Sequence, residues 1–519
     1  MLVHQFLEKS ADRLPHKVAL ICDGQRLTYA DIEAQANRLA NALRSQGLQR
    51  GDRVALYLPN CIELAIGIFA TLKAGGVFVP INASTKFDKC AYILKDCGAR
   101  VLITSGQQIA AVHQFMRLVP SLKMAVLTSL PKPLLDDSCP SSCVGYDAIQ
   151  ADYAETRPDS INIDVDLACL IYTSGSTGEP KGVMCDHSNV VFAASSITQY
   201  LGNIESDIVI GLLPLSFDYG LYQLLMVFQF GGTLVLEKGF TYPAMILKRI
   251  EAEQVTGFPG VPTVFTLLLQ MDLSQYDLSS LRYLTNTAAA LPPAHIAAIR
   301  DRFPWATLFS MYGLTETKRT LYLPPEQLDL RPGSVGIPIP GTEAWIEDEQ
   351  GQRLAAGQVG ELVVRGRHVM RGYWNAPEQT ALRFRVSSLP GERVCYTGDL
   401  FRRDEAGFFY FVARKDDVIK SRGEKVSPKE VEQVLYGLEG VQEAAVMGVP
   451  DPVLGQAIKA FVVLTADASL TVADLLRHCR SHLEEYMIPR SIELCTELPK
   501  SANGKINKLA LMQLQEQKS

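Results

Sequence analysis

Short buried strand patterns alternate with amphipathic helical patterns along most of this 519-residue chain. HQFLEKSADRL and YADIEAQANRLANALRSQ repeat apolar residues at helical spacing, whereas DRVALYLP and GGVFVPIN predict short buried strands. The alternation resumes between residues 165 and 330, where DIVIGLLPL and GGTLVLEKG predict strands and YPAMILKRIEAEQV predicts a helix. Strands separated by helices indicate an α/β fold with mainly parallel sheets that are covered by helices.

The pattern changes near residue 332, and this change divides the chain. Between residues 332 and 412, runs such as GELVVRG and GFFYFV lie between glycines and charged turns, which predicts a small antiparallel or barrel-like unit. Helix and strand patterns return after residue 414. We therefore predict a large N-terminal domain over 1–413, with two mixed or parallel sheet subdomains plus the barrel-like unit. A small α+β C-terminal domain follows over 414–519.

Charge and cysteine content narrow the possible partners and location. The formal net charge is −6 and no long basic run occurs, which argues against nucleic acid or an anionic membrane as a partner. Eleven cysteines at irregular spacing indicate reduced thiols rather than a disulfide framework. No apolar run reaches the roughly 18 residues that a membrane span needs. We expect a cytoplasmic protein.

The stretch LIYTSGSTGEPKG (170–182) is the first candidate ligand-binding motif. Glycines let the backbone approach a ligand closely, and hydroxyl and ammonium groups donate hydrogen bonds to phosphate oxygens. The common P-loop pattern requires lysine directly after glycine and a hydroxyl residue directly after lysine. Here Lys181 follows Pro180 and precedes Gly182, which excludes an ordinary P-loop NTPase. A plain surface turn is the alternative for this loop when it is considered alone.

Four further motifs follow the loop: YGLTE (312–316), YTGDL (396–400), ARKDDVIKSRGEKV (413–426) and LPKSANGKINK (498–508). In this order and spacing, the five motifs resemble those of the adenylate-forming superfamily. That superfamily includes acyl-CoA synthetases, amino-acid adenylation domains and beetle luciferases, and the resemblance covers essentially the whole chain. It implies that a carboxylate reacts with ATP to give an acyl-adenylate and pyrophosphate, after which the acyl group passes to a thiol.

The resemblance assigns roles to the first two motifs. It implies that Tyr312 stacks on adenine, that Thr315 contacts phosphate and that Glu316 binds Mg²⁺, a hard cation that prefers oxygen ligands beside phosphates. A helix that begins with Thr315 as its cap is the alternative. The residues implied to surround the β- and γ-phosphates are Thr173, Ser174, Gly175, Ser176, Thr177, Gly178 and Lys181.

The later motifs are implied to complete the ATP site and to drive the second half-reaction. Asp399 resembles the carboxylate that accepts both ribose hydroxyls, and Arg414 is placed for ribose or phosphate contact. Lys505 matches the lysine that stabilises the charge passing between carboxylate and α-phosphate. Asp416 matches the hinge of a mobile C-terminal domain, and Gly423 would line the pantetheine channel after the domain rotates.

The acyl pocket is predicted from LPLSFDYGLYQLL (213–225) and its surroundings. An aspartate at the position of Asp218 pairs with the substrate's α-ammonium group in amino-acid-activating relatives, whereas a helix N-cap is the alternative role. YGLTETKRTLYLPP (312–325) resembles free-standing proline-activating enzymes, which favours L-proline. Many relatives carry a Gly-rich stretch where this chain has YLTNTAAALP (283–292). The other residues expected at the pocket are Tyr219, Tyr222, Asn286, Met311 and Arg319.

Three functions remain open from the sequence. The first is an AMP-forming ligase that loads an amino acid, with L-proline favoured, onto the phosphopantetheine arm of a separate carrier protein. The second is an acyl-CoA or aryl-CoA synthetase that uses free CoA. The third is a luciferase-like oxygenase that acts on its own adenylate. Each of them requires ATP and Mg²⁺.

Overall fold

The computed structural model describes residues 1–129, 142–174, 180–287, 291–387, 389, 392–415, 417–421, 424–451, 455–500, 506–508 and 510–511. Within these ranges, the first 152 residues form alternating helices and strands, as the hydrophobic pattern predicts. Thr28 and Asp31 form a capping box that fixes the start of the second helix. The elements are α1 (Gln5–Arg13), β1 (Val18–Cys22), β2 (Gln25–Thr28), α2 (Tyr29–Ser45), β3 (Arg53–Leu58), α3 (Ile62–Lys73), β4 (Val77–Asn82), α4 (Phe87–Asp96), β5 (Ala99–Ser105), α5 (Ile109–Leu118), β6 (Met124–Thr128), β7 (Cys143–Gly145) and α6 (Tyr146–Asp152).

The alternation continues to residue 338. The elements are β8 (Leu167–Ser174), β9 (Pro180–Asp186), α7 (His187–Leu201), β10 (Ile208–Gly211), α8 (Asp218–Phe230), β11 (Thr233–Leu236), α9 (Pro243–Glu253), β12 (Gly257–Gly260), α10 (Pro262–Leu269), β13 (Tyr283–Asn286), α11 (Pro293–Arg302), β14 (Thr307–Tyr312), β15 (Leu321–Leu323) and β16 (Ile337–Pro338). Helices α7 and α8 each end at a left-handed glycine, Gly202 and Gly231, where a side chain would strain the backbone.

The remaining described chain is richer in strands. It comprises β17 (Thr342–Glu347), β18 (Val359–Gly366), β19 (Gly372–Tyr373), α12 (Pro377–Arg383), β20 (Phe384–Val386), β21 (Arg393–Arg403), β22 (Phe409–Arg414), β23 (Ile419–Ser421), β24 (Glu424–Val426), α13 (Pro428–Tyr436), β25 (Val441–Asp451), β26 (Gly455–Leu464), α14 (Val472–His482) and β27 (Ser491–Leu494).

Four sheets result from these strands. The first sheet has the order β19-β9-β8-β4-β3-β5-β6-β7 and is parallel from β8 to β7. The second sheet has the order β16-β15-β14-β13-β12-β10-β11-β1-β2 and is parallel from β14 to β1. Both are mixed, because antiparallel strands lie at one edge of the first sheet and at both edges of the second. The α/β fold class is therefore confirmed.

The other two sheets are smaller. The third sheet joins β17, β18, β21, β20 and β22 in antiparallel pairs, which matches the antiparallel unit predicted for 332–412. The fourth sheet combines β24, β23, β26, β25 and β27 with α13 and α14. It contacts the preceding part of the chain where Ser427 donates a hydrogen bond to the Val412 carbonyl (2.5 Å). The exact domain boundary near residue 414 remains a prediction.

One hydrophobic core joins α2, α3 and α8 to strands of the first and second sheets. Phe228 stacks on Phe69 at 5.0 Å between ring centroids and meets Tyr29 edge-on at 5.4 Å. This packing holds the two large sheets together through shared helices. Among the described helices, none combines the length and the apolar character that crossing a membrane would require.

Candidate active site

The phosphate-loop motif forms the hairpin between β8 and β9. Thr173 pairs with Lys181 and Ser174 pairs with Pro180 across this hairpin. Lys181 Nζ lies 5.9 Å from the centre of the Tyr373 ring. The remaining predicted phosphate contacts, together with the side chain of Ser174, lie outside the described part of the chain: Gly175, Ser176, Thr177 and Gly178. The hairpin thus brings one hydroxyl residue and one lysine to the same end of the first sheet.

The YGLTE motif leaves the carboxyl end of β14 and enters a tight turn. Gly313 is required there, because a Cβ atom on it would lie 1.8 Å from the Lys318 carbonyl oxygen. Thr315 lies in the turn and not in a helix, so the alternative role as a helix cap is wrong. Tyr373 Oη donates a hydrogen bond to Glu316 Oε1 (2.6 Å), and the Met370 N–H donates to the Glu316 carbonyl (2.9 Å). The turn therefore has a fixed conformation that presents the Glu316 carboxylate.

Tyr373 and Arg383 join this site although no motif indicated them. Burial lowers the pKa of Arg383, but the charges of Glu316 and Tyr373 more than offset that effect, so the pKa lies above its ordinary value. Burial and Glu316 also raise the pKa of Tyr373. In the structure, a Cβ atom on Gly398, within YTGDL, would lie 2.3 Å from Arg383 Nη1. This glycine leaves room for the half-buried Arg383 guanidinium.

Asp399 lies on β21 close to the turn. Tyr312 Oη donates a hydrogen bond to Asp399 Oδ2 (2.6 Å), and Arg414 Nε lies 3.8 Å from Asp399 Oδ1. Burial raises the pKa of Asp399, and Arg414 and the Tyr312 hydrogen bond offset only part of this effect. Tyr312 also packs edge-on against Phe401 at 5.0 Å between ring centroids. The structure brings together the residues that were predicted to bind adenine and ribose. Their individual roles remain predictions.

The described residues fit a magnesium ion that arrives with ATP. Across the described ranges, no group of three or more His, Cys, Asp or Glu side chains could hold a metal ion alone. Mg²⁺ commonly uses one or two carboxylates together with substrate phosphates and water. Glu316 supplies such a carboxylate. Lys181 lies near Tyr373, which contacts Glu316, and Arg383 interacts with both Glu316 and Tyr373. Glu316 would hold the ion against the phosphates.

The predicted acyl-pocket residues meet at the start of α8. Asp218 is the first residue of this helix, and the described chain shows no side-chain cap for α8, so the N-cap alternative is wrong. Arg319 Nη1 lies 3.8 Å from Asp218 Oδ2, and the Arg319 guanidinium carbon lies 4.4 Å from the centre of the Tyr219 ring. Asp218 therefore already has a cationic neighbour.

The other pocket candidates are buried around this pair. Tyr219 Oη donates to the Thr285 carbonyl (2.8 Å), which anchors α8 to β13. Met311 lies within β14, where its sulfur accepts a hydrogen bond from Tyr200 Oη (2.8 Å). Tyr222 on α8 and Asn286 at the end of β13 are each 0% exposed.

The topology explains this convergence. In the second sheet, β10 lies between β11 and β12, so chain order reverses beside β10. Ligands of open α/β sheets bind at the carboxyl ends of strands next to such a reversal. Helix α8 follows β10, while Asn286 and Met311 lie at or near the carboxyl ends of β13 and β14. Lys505, Asp416 and Gly423 lie outside the described residues.

Comparisons with known proteins agree with this arrangement. The family model described as "AMP-binding enzyme" matches residues 7–374, and the model described as "AMP-binding enzyme C-terminal domain" matches residues 430–505. A long-chain-fatty-acid–CoA ligase of Bacillus subtilis (strain 168) is 34% identical, over 98% of this chain and 94% of that protein. Tyrocidine synthase 3 of Brevibacillus parabrevis is 31% identical over 99% of this chain, but the match covers only 8% of that protein.

A solved structure shows the same fold. The anthranilate CoA ligase AuaEII, in complex with anthranoyl-AMP, superposes with a TM-score of 0.91 and 29% sequence identity. The match covers 99% of this chain and 97% of that one. Both large sheets and the smaller C-terminal unit are therefore shared with a protein that holds an acyl-adenylate.

Proposed function

The chain belongs to the AMP-binding enzyme family, and we propose that it joins a small carboxylic acid to coenzyme A. The chain is an AMP-forming ligase that activates a carboxylate with ATP. We propose in addition that it works in the cytoplasm, since the eleven cysteines of the sequence lie at irregular spacing that does not indicate a disulfide framework.

The Arg319–Asp218 pair is the observation that carries the choice of a CoA ligase. An aspartate that binds the α-ammonium group of a substrate needs a negative charge that no other cation offsets. Asp218, however, lies 3.8 Å from the buried Arg319 guanidinium. This neighbour weakens the attraction of the pocket for an amino acid. The comparisons support the same choice, because the Bacillus CoA ligase matches along nearly its whole length and tyrocidine synthase 3 along a small part only.

The proposed reaction has two steps. A carboxylate oxygen of the acid attacks the α-phosphorus of ATP, and pyrophosphate leaves. The sulfur of CoA then attacks the acyl carbon, and AMP leaves. In the first step, we assign Lys181 to the outer phosphates and Lys505 to the charge that develops between carboxylate and α-phosphate. Bound Mg²⁺, held by Glu316, would neutralise phosphate charge.

The ribose and adenine are assigned to the Asp399 site. Asp399 offers two acceptor oxygens to the ribose hydroxyls, and Tyr312 positions that carboxylate through its hydroxyl while its ring faces the base. Thr315 lies in the turn directly before Glu316 and is assigned to phosphate. In the second step, Asp416 would act as the hinge and Gly423 would line the pantetheine channel.

A second candidate function is loading of an amino acid, with L-proline favoured, onto the phosphopantetheine arm of a carrier protein. The buried Asp218 at the start of α8 and the match to tyrocidine synthase 3 favour it. Under this function, Asp218→Ala should abolish amino-acid activation and spare ATP binding.

Acid-dependent AMP formation with and without CoA separates the two functions. The panel holds small aliphatic acids, aryl acids and L-proline, and the product is identified by mass. We expect a CoA thioester of an acid that lacks an amino group. Pyrophosphate exchange that responds to L-proline alone, with no CoA thioester from any acid, would instead establish the carrier-loading function.

A further inference from the structure

Two cationic residues are buried beside one carboxylate at the start of α8. Lys318 and Arg319 are 0% and 2% exposed, and Asp218 is 6% exposed. Arg319 Nη1 lies 3.8 Å from Asp218 Oδ2, whereas Lys318 Nζ lies 5.7 Å from the centre of the Tyr222 ring. Two positive charges and one negative charge leave an excess of one positive charge in a region shielded from water. Such an excess is costly unless an anion balances it.

Hydrogen bonding in the same cluster is incomplete. Counting only residues that the structure describes, Arg319 Nε and Tyr222 Oη have no hydrogen-bond partner, and Lys318 Nζ has none among oxygen and nitrogen atoms, its one side-chain partner being the Cys185 sulfur. Nearly all buried polar groups in native proteins are paired, so each exception requires an explanation. Three buried groups with unused N–H or O–H donors around the first turns of α8 indicate a ligand that accepts hydrogen bonds.

The protein neighbours of Lys318 do not supply a strong acceptor. The side-chain neighbours of Lys318 Nζ are the Tyr222 ring and the Cys185 sulfur, to which Lys318 donates a hydrogen bond. A thiol sulfur is a weak acceptor and takes one of the three ammonium donors, so two donors remain available.

The backbone of Lys318 adopts an unusual conformation. Its φ is 58°, in the left-handed region that residues with a side chain rarely adopt. The turn is held by the hydrogen bond from the Thr320 N–H to the Tyr312 carbonyl (2.9 Å) and by the close approach at Gly313. Strained residues that the surrounding structure fixes in this way cluster at ligand sites. The turn directs Lys318 and Arg319 toward α8, while Glu316 faces Tyr373.

We propose that this cluster binds the second carboxylate of a dicarboxylic acid, whose first carboxylate is adenylated. The inference rests on the proposed function and specifies its substrate class. Lys318 is the main partner of the second carboxylate, because Asp218 already occupies one side of Arg319. Tyr222 offers its hydroxyl to the same group. The excess positive charge disfavours an ammonium group, so L-proline is expected to be a poorer substrate than a diacid.

Pyrophosphate exchange with acids of matched length tests the proposal on the unmodified protein. The pairs are succinate with butyrate and glutarate with valerate, and L-proline is assayed beside them. We expect kcat/KM for at least one diacid to exceed that of its monoacid, and that of L-proline, by tenfold or more. Preference for the monoacids or for L-proline, or no response to either diacid, would overturn the proposal.

This exchange requires no CoA, so the two proposals can fail separately. Diacid-dependent exchange without any CoA thioester would reject the CoA-ligase function and retain the diacid site. CoA thioesters formed from monoacids in preference to diacids would retain the function and reject the site.

The variant Lys318→Met tests the residue itself. Its diacid-to-monoacid ratio of kcat/KM should fall at least tenfold, and its thermal midpoint should not decrease, because within the described residues Lys318 Nζ has only the weak sulfur acceptor of Cys185 to lose. An unchanged ratio would contradict the assignment. If this variant does not fold, Lys318→Gln serves the same comparison.

Lys73→Met is the matched buried-lysine control. Lys73 is 2% exposed and pairs with Glu8 (2.7 Å) on α1 and Glu33 (2.9 Å) on α2, so its partners are not residues of this turn. The Lys73→Met variant should have a lower thermal midpoint and an unchanged diacid-to-monoacid ratio of kcat/KM. Cys185→Ala tests whether a thiolate balances Lys318: a retained diacid preference supports the proposal, and its loss overturns it.

Discussion

At the scale of single residues, the Asp399 carboxylate is positioned before any ligand binds. Tyr312 Oη holds one of its oxygens at 2.6 Å, and Arg414 lies 3.8 Å from the other. A preorganised acceptor would need no rearrangement when the ribose binds at the proposed site, and this would lower the cost of binding. We therefore propose that Tyr312 contributes to ATP binding through its hydroxyl as well as through its ring.

Tyr312→Phe should raise the KM for ATP by about tenfold, because a hydrogen bond to a charged group contributes roughly 1.5 kcal/mol or more. The ring and its packing on Phe401 remain. The measurement is ATP dependence of pyrophosphate exchange at saturating acid. Tyr410→Phe is the control, since its hydroxyl donates to Asp404 (3.2 Å) on the same sheet and away from Asp399. An equal effect in both variants would rule out the assigned role.

The sequence predicted Asp218 and Arg319 as pocket residues but did not predict their contact with each other. They lie on different elements, and no spacing rule relates the start of α8 to the turn after β14. Lys318 was missed for a related reason. An isolated lysine is usually solvated, and only the three-dimensional turn shows that this one is buried.

At the scale of secondary-structure elements, two histidines join the starts of α1 and α7. His4 directly precedes α1 and His187 is the first residue of α7, with ring centroids 6.0 Å apart. The Val3 N–H donates to His187 Nδ1 (3.0 Å). Burial lowers the pKa of both His4 and His187 to about 3. Both are therefore neutral in the folded protein at any pH above that value.

This contact should make the fold sensitive to mild acid. Below the unfolded pKa of 6.5, the unfolded chain binds protons that the folded chain excludes, so stability falls as the pH decreases toward 3. The slope is about 1.4 kcal/mol per pH unit for each histidine. The decrease in thermal midpoint from pH 7 to pH 5.5 should be smaller for His4→Phe than for the unmodified protein.

The matched control for this effect is His482→Gln, which removes an exposed histidine. It should leave the pH dependence of the thermal midpoint as it is in the unmodified protein. If His4→Phe and His482→Gln behave alike, the acid sensitivity arises elsewhere.

The elements themselves were largely predictable, whereas their sheet membership was not. Periodicity and the apolar runs predicted α1, α2, β3 and β4, because those patterns reflect local burial. However, the hairpin β1–β2 pairs with β11 and so belongs to the second sheet. The next strands along the chain, from β3 to β7, belong to the first sheet. Pairing between distant segments depends on which faces meet, and a single sequence does not record that.

At the scale of the whole molecule, the fourth sheet and its helices pack against the rest of the chain through β22 and α11. Lys429 Nζ lies 4.6 Å from the centre of the Phe411 ring, and Tyr436 meets His295 at 6.1 Å between ring centroids. Burial lowers the pKa of Lys429 to about 8, partly opposed by Glu432 and Asp399. The C-terminal unit thus has charged side chains close to the proposed ribose site.

Lys505→Ala should lower acid-dependent adenylation by about 10²-fold or more, comparable to the loss of one preorganised electrostatic contact. Thioester formation from supplied acyl-adenylate should decrease much less, since the lysine is assigned to the first step only. Single-turnover assays of each half-reaction give the comparison.

Lys508→Ala is the control on the same segment. Lys508 bonds to the Val446 carbonyl (2.9 Å) and pairs with Glu432 (3.1 Å), so it supports the C-terminal unit. Its replacement should affect stability more than adenylation. Equal losses in both half-reactions for Lys505→Ala would contradict the role assigned to that residue.

The hydrogen bond between Tyr373 and Glu316 has a consequence for how the protein is made. Glu316 follows β14 of the second sheet, Tyr373 lies on β19 at the edge of the first, and Arg383 ends α12 just before the third. The phosphate loop and the Glu316 turn leave the exit tunnel of the ribosome well before Tyr373, Arg383 and Asp399 do. Domains fold as they emerge from the ribosome. A nascent chain that has reached only β16 therefore lacks the proposed ribose acceptor and the partners of Glu316. We expect no consumption of ATP before the chain through β21 has been made.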